Sequence, residues 1–311
     1  MDPAQRTAAM WTMAVNAVTV EVVEALAAAG VESLVLKGPS TAGWLYDEDD
    51  ARSYADSDLL VDPAQVPAAH ATLERAGFRR DFGPLPHPGM ESPPSYPWRR
   101  DTFVVDLHET LPGATADRRE VWTVLRDDST ELSVDGRVVP VLGEPARLVH
   151  LALHAAHHGA RVEPPIEDLR RALAQVAPEQ WTAAARVADR LGASAAFAAG
   201  LDLIPEGREL LGRMGLDAGP SVDRLLAGQG VPVASGIERL WAAPGLGARG
   251  AMLRDELFPS RDFMRWWSPA SRGSRPRLVA AYARRWLYLI RHAPSAVRAW
   301  RRARAAAERT D

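Results

Sequence analysis

The chain has 311 residues, no cysteine, a formal net charge of −3 and 47% hydrophobic residues. These values exclude a disulfide scaffold, a thiol nucleophile, a thiolate zinc site and general disorder, and the length points to two domains. Residues 1–150 carry 13 basic and 24 acidic side chains, residues 151–311 carry 24 basic and 16 acidic, and Lys37 is the one lysine in a chain biased toward arginine and alanine.

Residues 4–29 read as an amphipathic helix closed by Gly30. Arg6, Glu21 and Glu24 interrupt its apolar pattern, so no secretory signal and no transmembrane segment are expected, and the chain reads as a soluble cytoplasmic protein. A short buried strand follows over Val31–Leu36 and ends at Lys37-Gly38. Pro39 suits the first turn of a helix that carries Trp44, Leu45 and Tyr46. Asp47–Asp50 is an acidic loop, Asp56–Val61 a second strand, and Asp62 the N-cap of a helix running to Gly77. A third short strand begins at Phe78, and six prolines make 83–97 a loop. Thr102–Glu109 is a strand, a helix lies near 117–126, and Asp135-Gly136 marks a type I′ hairpin turn.

From Glu144 onward the signals are helical, near 144–158, 165–176, 179–191, 194–203, 206–214, 220–228, 235–243, 248–256 and 276–309. The expected fold class is therefore α/β (α+β): a small mixed-sheet core over 1–143, then a mostly helical domain over 144–311 with a basic C-terminal tail.

The residues that point to chemistry are acidic. Asp56 and Asp58 are two apart on a strand and project from one face. Asp106 interrupts the apolar run of a later strand. If these strands are neighbours, three carboxylates converge, an arrangement that is costly unless a cation lies between them. Hard oxygen ligands of this kind suit Mg²⁺, which keeps substrate phosphates among its other ligands and serves phosphoryl transfer. Gly38 lets backbone approach a phosphate, Ser40 is placed to offer a hydroxyl, and Lys37 stands beside the turn as a compact charge.

The runs Leu34-Val-Leu-Lys-Gly-Pro-Ser and Arg52-Ser-Tyr-Ala-Asp-Ser-Asp-Leu-Leu-Val resemble the uncharacterised nucleotidyltransferase family of the DNA polymerase β superfamily. The resemblance continues in Val105-Asp-Leu-His-Glu, in Leu151-Ala-Leu-His-Ala-Ala-His-His-Gly, in Ile166-Glu-Asp-Leu and in Leu257-Phe-Pro-Ser-Arg-Asp-Phe-Met. It implies a nucleotidyltransferase core with a helical C-terminal domain. It also implies Mg²⁺ held by Asp56, Asp58 and Asp106, and a nucleoside triphosphate, ATP among the candidates, as co-substrate. Lys37, Gly38, Ser40, Arg52 and His108 are the expected nucleotide-side contacts, and Asp106 is expected to help deprotonate the acceptor. The resemblance extends to proteins encoded beside polysaccharide and lasso-peptide biosynthesis genes, so the acceptor is expected to be a small molecule, a peptide or a glycan. The spacer of 15 residues between Ser40 and Asp56 is longer than is usual for the superfamily motif. The alternative reading is a non-catalytic nucleotide-binding or regulatory module of a biosynthetic assembly.

Other features compete with this site. Arg52 has the acidic loop Asp47–Asp50 as an alternative partner. His154 and His158 are four apart, a zinc-like spacing, but Ala155 stands where the zincin pattern needs glutamate. One histidine of the group His150, His154, His157 and His158 is better placed to reach a substrate cleft, with Asp168 as its orienting carboxylate. The arginines after residue 284, with Trp266 and Trp267, suit an anionic partner, either nucleic acid or a membrane surface, or else a helix wrapping the acidic half of the chain.

Overall fold

A computed structural model describes residues 3–47, 50, 52–80, 95–216, 232–243, 245–259, 261–268, 270–271 and 274–307. The helix expected at 220–228 lies outside them. The described elements form two compact units.

The first unit contains the sheet. Helix α1 (Pro3–Ala28) leads into β1 (Ser33–Val35), α2 (Pro39–Leu45), β2 (Asp56–Val61), a 3-10 turn (Pro63–Gln65) and α3 (Val66–Arg75). Then come β3 (Arg79–Arg80), β4 (Ser95–Arg100), β5 (Phe103–His108), α4 (Arg118–Asp127), β6 (Thr130–Val134) and β7 (Arg137–Val141). Five helices complete the unit: α5 (Glu144–His158), α6 (Glu163–Gln175), α7 (Pro178–Arg190), α8 (Ser194–Leu201) and α9 (Pro205–Met214). The helices from residue 144 to 214 thus belong to the same compact unit as the sheet.

The strands form one mixed sheet in the order β3-β4-β5-β2-β1-β7-β6. β2 runs parallel to β5 and antiparallel to β1, and β1 runs parallel to β7. Both faces are covered. On one face α1 and α3 bury Val18, Val22, Leu26, Ala69 and Leu73 against Val35, Leu59, Val61, Val105 and Leu107. On the other, Leu34, Leu36 and Leu60 join the core built by α4 to α9. This is the period-2 alternation of strands buried on both sides.

Local chemistry accounts for most boundaries. Asp62 Oδ1 accepts from the Ala64 amide, 2.9 Å, and caps the 3-10 turn that precedes α3. Asp135 and Gly136 both have positive φ, 49° and 77°, as a type I′ turn between β6 and β7 requires. One expectation fails: 95–97 is not loop but the start of β4, with Pro97 opposite Asp106. Among the described residues β3 pairs with β4 at Arg99 and Trp98, and Pro97 stands next along the strand.

Helix α1 is long and apolar enough over Arg6–Ala28 to cross a bilayer by length and composition, with mean hydropathy 1.3. Its Val15, Val18, Val22, Val23 and Leu26 are nevertheless buried, the behaviour of a core helix.

The second unit contains α10 (Pro232–Ala242), α11 (Gly245–Leu257), α12 (Arg261–Trp267) and α13 (Arg275–Ala307). Small residues Ala234, Ala296, Ala299 and Ala303 let α10 approach α13 closely. Phe263, Met264 and Ala281 join α12 to the same long helix.

Helices α5 and α8 approach through Gly200, where an added Cβ would stand 2.0 Å from the Ala152 carbonyl oxygen. Gly200→Ala is therefore expected to cost about 1–3 kcal/mol in urea unfolding. Gly212→Ala, on an exposed helical position with nothing within 4 Å of the new Cβ, serves as the control and is expected to be neutral or stabilising.

Candidate active site

The parallel register of β2 and β5 sets Asp58 directly opposite Asp106, with Leu60 opposite His108. Asp56, Asp58, Asp106 and His108 therefore share the sheet face that looks toward α5. Ser57, between the aspartates, points the other way, where its hydroxyl lies 2.8 Å from that of Thr19 on α1.

Ligand atoms of Asp58, Asp106 and His108 all lie within 4.8 Å of one another. Asp58 is 3% exposed, and its Oδ1 is 3.2 Å from His108 Nε2. Asp56, at the strand's start, is more open and falls outside this tight set. Lys37, one turn beyond β1, ties the two parts together: its Nζ is 3.1 Å from Asp58 Oδ2 and 3.7 Å from Asp56 Oδ2. The ammonium is the partner of that buried Asp58 oxygen, while His108 meets the other.

The electrostatics follow from this crowding. Burial, then the Asp58 charge, pushes the Asp106 carboxyl up to about 6. Asp56 is raised for the same two reasons. Burial opposes the charge on Asp58 too, but the bond to His108 and the Lys37 ammonium hold it well below the carboxylate range. Burial likewise disfavours the Lys37 ammonium, and Asp58 and Asp56 more than offset it, keeping that pKa above its ordinary value. The site thus has two carboxylates short of positive charge, and a third whose neutralisation rests on one lysine and one histidine. Both observations fit a hard divalent cation, with Asp58 and Asp106 as core ligands, Asp56 at the rim and His108 beside them.

The turn before α2 is shaped as the sequence suggests, with different contacts. Gly38 has φ 68°, and an added Cβ would press on the Tyr54 ring at 3.3 Å. Tyr54 is held in turn by Asn16 of α1. Ser40 is fully buried, and its Oγ has no hydrogen-bond partner among the described residues. It lies inside the turn and not on an open phosphate-facing surface.

Arg52 and Asp168 correct two expectations. Arg52 pairs with neither described acid of the loop, Asp47 or Asp50: its Nε and Nη2 both reach the Asp168 carboxylate at 2.7 Å. Two of its three guanidinium nitrogens are thereby committed. Asp168 does not orient a histidine: it is 1% exposed and receives Arg52 and the Tyr46 hydroxyl, the latter at 2.7 Å. The loop acid Asp50 is met instead by Arg171, whose guanidinium also lies 4.2 Å over the Tyr46 ring. Proximity on helix faces cannot reveal this clamp, because its partners are 116 residues apart.

The histidines of α5 form a row: ring centroids are 6.0 Å apart for His150–His154 and 4.5 Å for His154–His158. The Asp58 and Lys37 charges act on His150, His154 and His158. Burial pushes His150 down to about 3 and lowers His154 as well, so both are neutral near pH 7. Among the described residues they join no metal-ligand cluster; the zinc-like pair runs from half-buried His154 to exposed His158.

A mixed sheet that buries facing aspartates beside a lysine and a glycine turn is the framework of a phosphoryl-transferring enzyme. Residues 1–206 match the family described as uncharacterised nucleotidyltransferase, and the chain belongs to that family of transferases. Nucleotidyltransferases generally use a divalent metal, and the buried Asp58–Asp106–His108 group is the corresponding feature here. No curated protein matches the chain. Among solved structures, the antibiotic-resistance factor ANT(2'')-Ia in solution is 16% identical, with TM-score 0.40, over 57% of this chain and 95% of that one. Its crystal form in complex with adenylyl-2''-tobramycin is 18% identical, with TM-score 0.39, over 54% and 94%. An antigenic nucleotidyltransferase-like protein from Paracoccidioides brasiliensis is 18% identical, with TM-score 0.35, over 59% and 91%.

The clamp yields a stability prediction. Arg52→Ala leaves the Asp168 carboxylate buried with only Tyr46 as donor and should cost about 3–5 kcal/mol in urea unfolding. Arg52→Met combined with Asp168→Leu should recover most of that loss, since no charge then remains to be desolvated.

Proposed function

We propose that the chain transfers a nucleoside monophosphate from a Mg²⁺-bound nucleoside triphosphate to a hydroxyl or phosphate acceptor and releases pyrophosphate. The observation that carries this reading is the register that sets Asp58 against Asp106 on one sheet face, with ligand atoms of Asp58, Asp106 and His108 within 4.8 Å of one another.

In this reading Asp58 and Asp106 hold the cation, and Asp56 completes the rim. When bound, Mg²⁺ supplies Lewis-acid polarisation of the α-phosphate. Lys37 brings a compact positive charge to the carboxylates at which the phosphates arrive, within 3.1 Å of Asp58. The acceptor oxygen bonds to the α-phosphorus as the bond from that phosphorus to the bridging oxygen breaks, and pyrophosphate leaves with the electron pair. The acceptor's proton goes to an Asp106 carboxylate oxygen on the same face. Arg52 acts by fixing the loop into β2 through Asp168. His108 positions Asp58, and the neutral histidine row of α5 walls the carboxylate face without adding charge. The acceptor class remains that expected above: a small molecule, a peptide or a glycan.

Pyrophosphate release from each NTP in the presence of Mg²⁺ and candidate acceptor pools tests the reading. Asp58→Asn and Asp106→Asn should each reduce kcat/KM by about 10³ or more, with an unchanged helical circular-dichroism signal. Full turnover in either variant would remove these aspartates from the chemistry. Nucleotide binding with no pyrophosphate release from any acceptor would instead favour the non-catalytic module. A second expectation concerns the lone lysine: Lys37→Ala should weaken NTP binding by about tenfold in calorimetry, and Lys37→Arg should restore only part of it.

A further inference from the structure

Helix α13 has a second apolar side that no described residue of its unit covers. Its inner side is packed: Ala281, Ala296, Ala299 and Ala303 are buried against neighbouring helices. On its outer side Val279, Leu287 and Ile290 are 68%, 67% and 70% exposed, and Trp286 is 41% exposed. Val279, Ala283, Trp286 and Ile290 recur at i, i+4, i+7 and i+11, which places them in one stripe along the helix. The stripe continues onto the end of α11, where Phe258 meets the Trp286 ring edge-on at 5.5 Å. The indole Nε1 donates to the Leu257 carbonyl oxygen at 2.6 Å, so the ring is fixed with its polar atom satisfied.

Charge borders this stripe on one side. Arg277, Arg284, Arg291 and Arg298 recur every seven residues in a row that drifts from about 140° to about 80° round the helix from the apolar stripe, and Arg284 is turned inward to Ser268 and the Trp267 ring. The whole helix, Arg275–Ala307, contains nine arginines and neither aspartate nor glutamate. Arg277, Arg291 and Arg302 are exposed and meet no carboxylate among the described residues.

We propose that this face of α13 lies in the plane of an anionic lipid surface, with Val279, Trp286, Leu287 and Ile290 inserted among the acyl chains and the arginine row on the headgroups. The combination of aliphatic stripe, interfacial tryptophan and one-signed flank is what such a surface recognises. A second copy of the helix is the poorer occupant, because it would bring arginine rows together with no acid on either helix. A nucleic acid would use the arginines and leave the exposed leucine, isoleucine and valine without a role. The inference is independent of the proposed transfer chemistry.

The test is flotation of the full chain with vesicles of equal parts phosphatidylglycerol and phosphatidylcholine, and with phosphatidylcholine alone, at ~0.15 M salt. The chain should float with the anionic vesicles only. Leu287→Glu with Ile290→Glu, and separately Arg277→Glu with Arg291→Glu, should each reduce the bound fraction by about tenfold or more. Absence of flotation with anionic vesicles would overturn the proposal. So would binding that the Leu287 and Ile290 changes leave intact, which would mark a purely ionic surface of the kind nucleic acid takes. A loss of self-association in sedimentation velocity, or a fall in the chain's own melting temperature, on those two changes would show that the stripe is covered by a second copy or within the chain, and would equally overturn it.

Discussion

The structure turns on one unfavourable arrangement: two carboxylates placed opposite each other on adjacent parallel strands and buried. Like charges in such positions repel, and burial magnifies the cost. The surroundings are arranged around that cost. β1 lies antiparallel beside β2, its Leu36 amide donates to the Asp58 carbonyl at 2.9 Å, and the chain then delivers Lys37 to the same place. His108 comes from the same strand as Asp106, two residues on, and so reaches Asp58 from the opposite side. Even with these partners, Asp106 stays raised. A protein that only needed a stable sheet would fill these positions with valine. Keeping the carboxylates makes sense when a cation completes the set.

The remaining packing isolates this face. Ser57 and Thr19 satisfy each other beneath the sheet, so α1 closes the opposite face without competing for the aspartates. On the site's own face α5 contributes buried His150, kept neutral by that burial, and α6 is bound to the loop before β2 through Arg52, Asp168 and Tyr46. That clamp sets where β2 begins and hence where Asp56 emerges. Gly38 does the same at the other entrance: with φ positive and the Tyr54 ring at 3.3 Å from any Cβ, no side chain fits.

Features whose causes are local were legible in the sequence. β2 and α5 fall on the residues their periodicity indicates, and the Asp135-Gly136 turn has the backbone its dipeptide demands. The convergence of Asp58 with Asp106 was readable because strand alternation fixes which side each points to, once the strands are neighbours. What could not be read depends on which distant segments meet. β4 was hidden by Pro97, a residue that argues against a strand interior when read alone. The partner of Arg52 was hidden by sequence distance, so the nearby acidic loop looked the better choice. Ser40 looked like a phosphate contact because a serine after a glycine turn usually faces out; here α2 turns it into the core.

The basic excess of the second half is likewise sorted by structure into two uses. Arg285 is buried, lies 5.0 Å over the Phe263 ring and 5.7 Å from Trp267, and pairs with Glu256. Arg304 sits 5.2 Å over Trp241 and 5.6 Å over Trp300. These guanidiniums work as flat, stackable groups that fasten the inner side of α13, a use for which an ammonium is a weaker substitute. The outer arginines carry charge alone. At position 37 the requirement is reversed. The cation must fit between Asp56 and Asp58, at 3.7 and 3.1 Å, while largely enclosed by the sheet and the glycine turn. A planar fork would need a wider opening and would fix two parallel bonds to one carboxylate, whereas an ammonium divides its charge between both. A compositional drift toward arginine accounts for the rest of the chain; at this strand end the geometry itself selects the smaller cation.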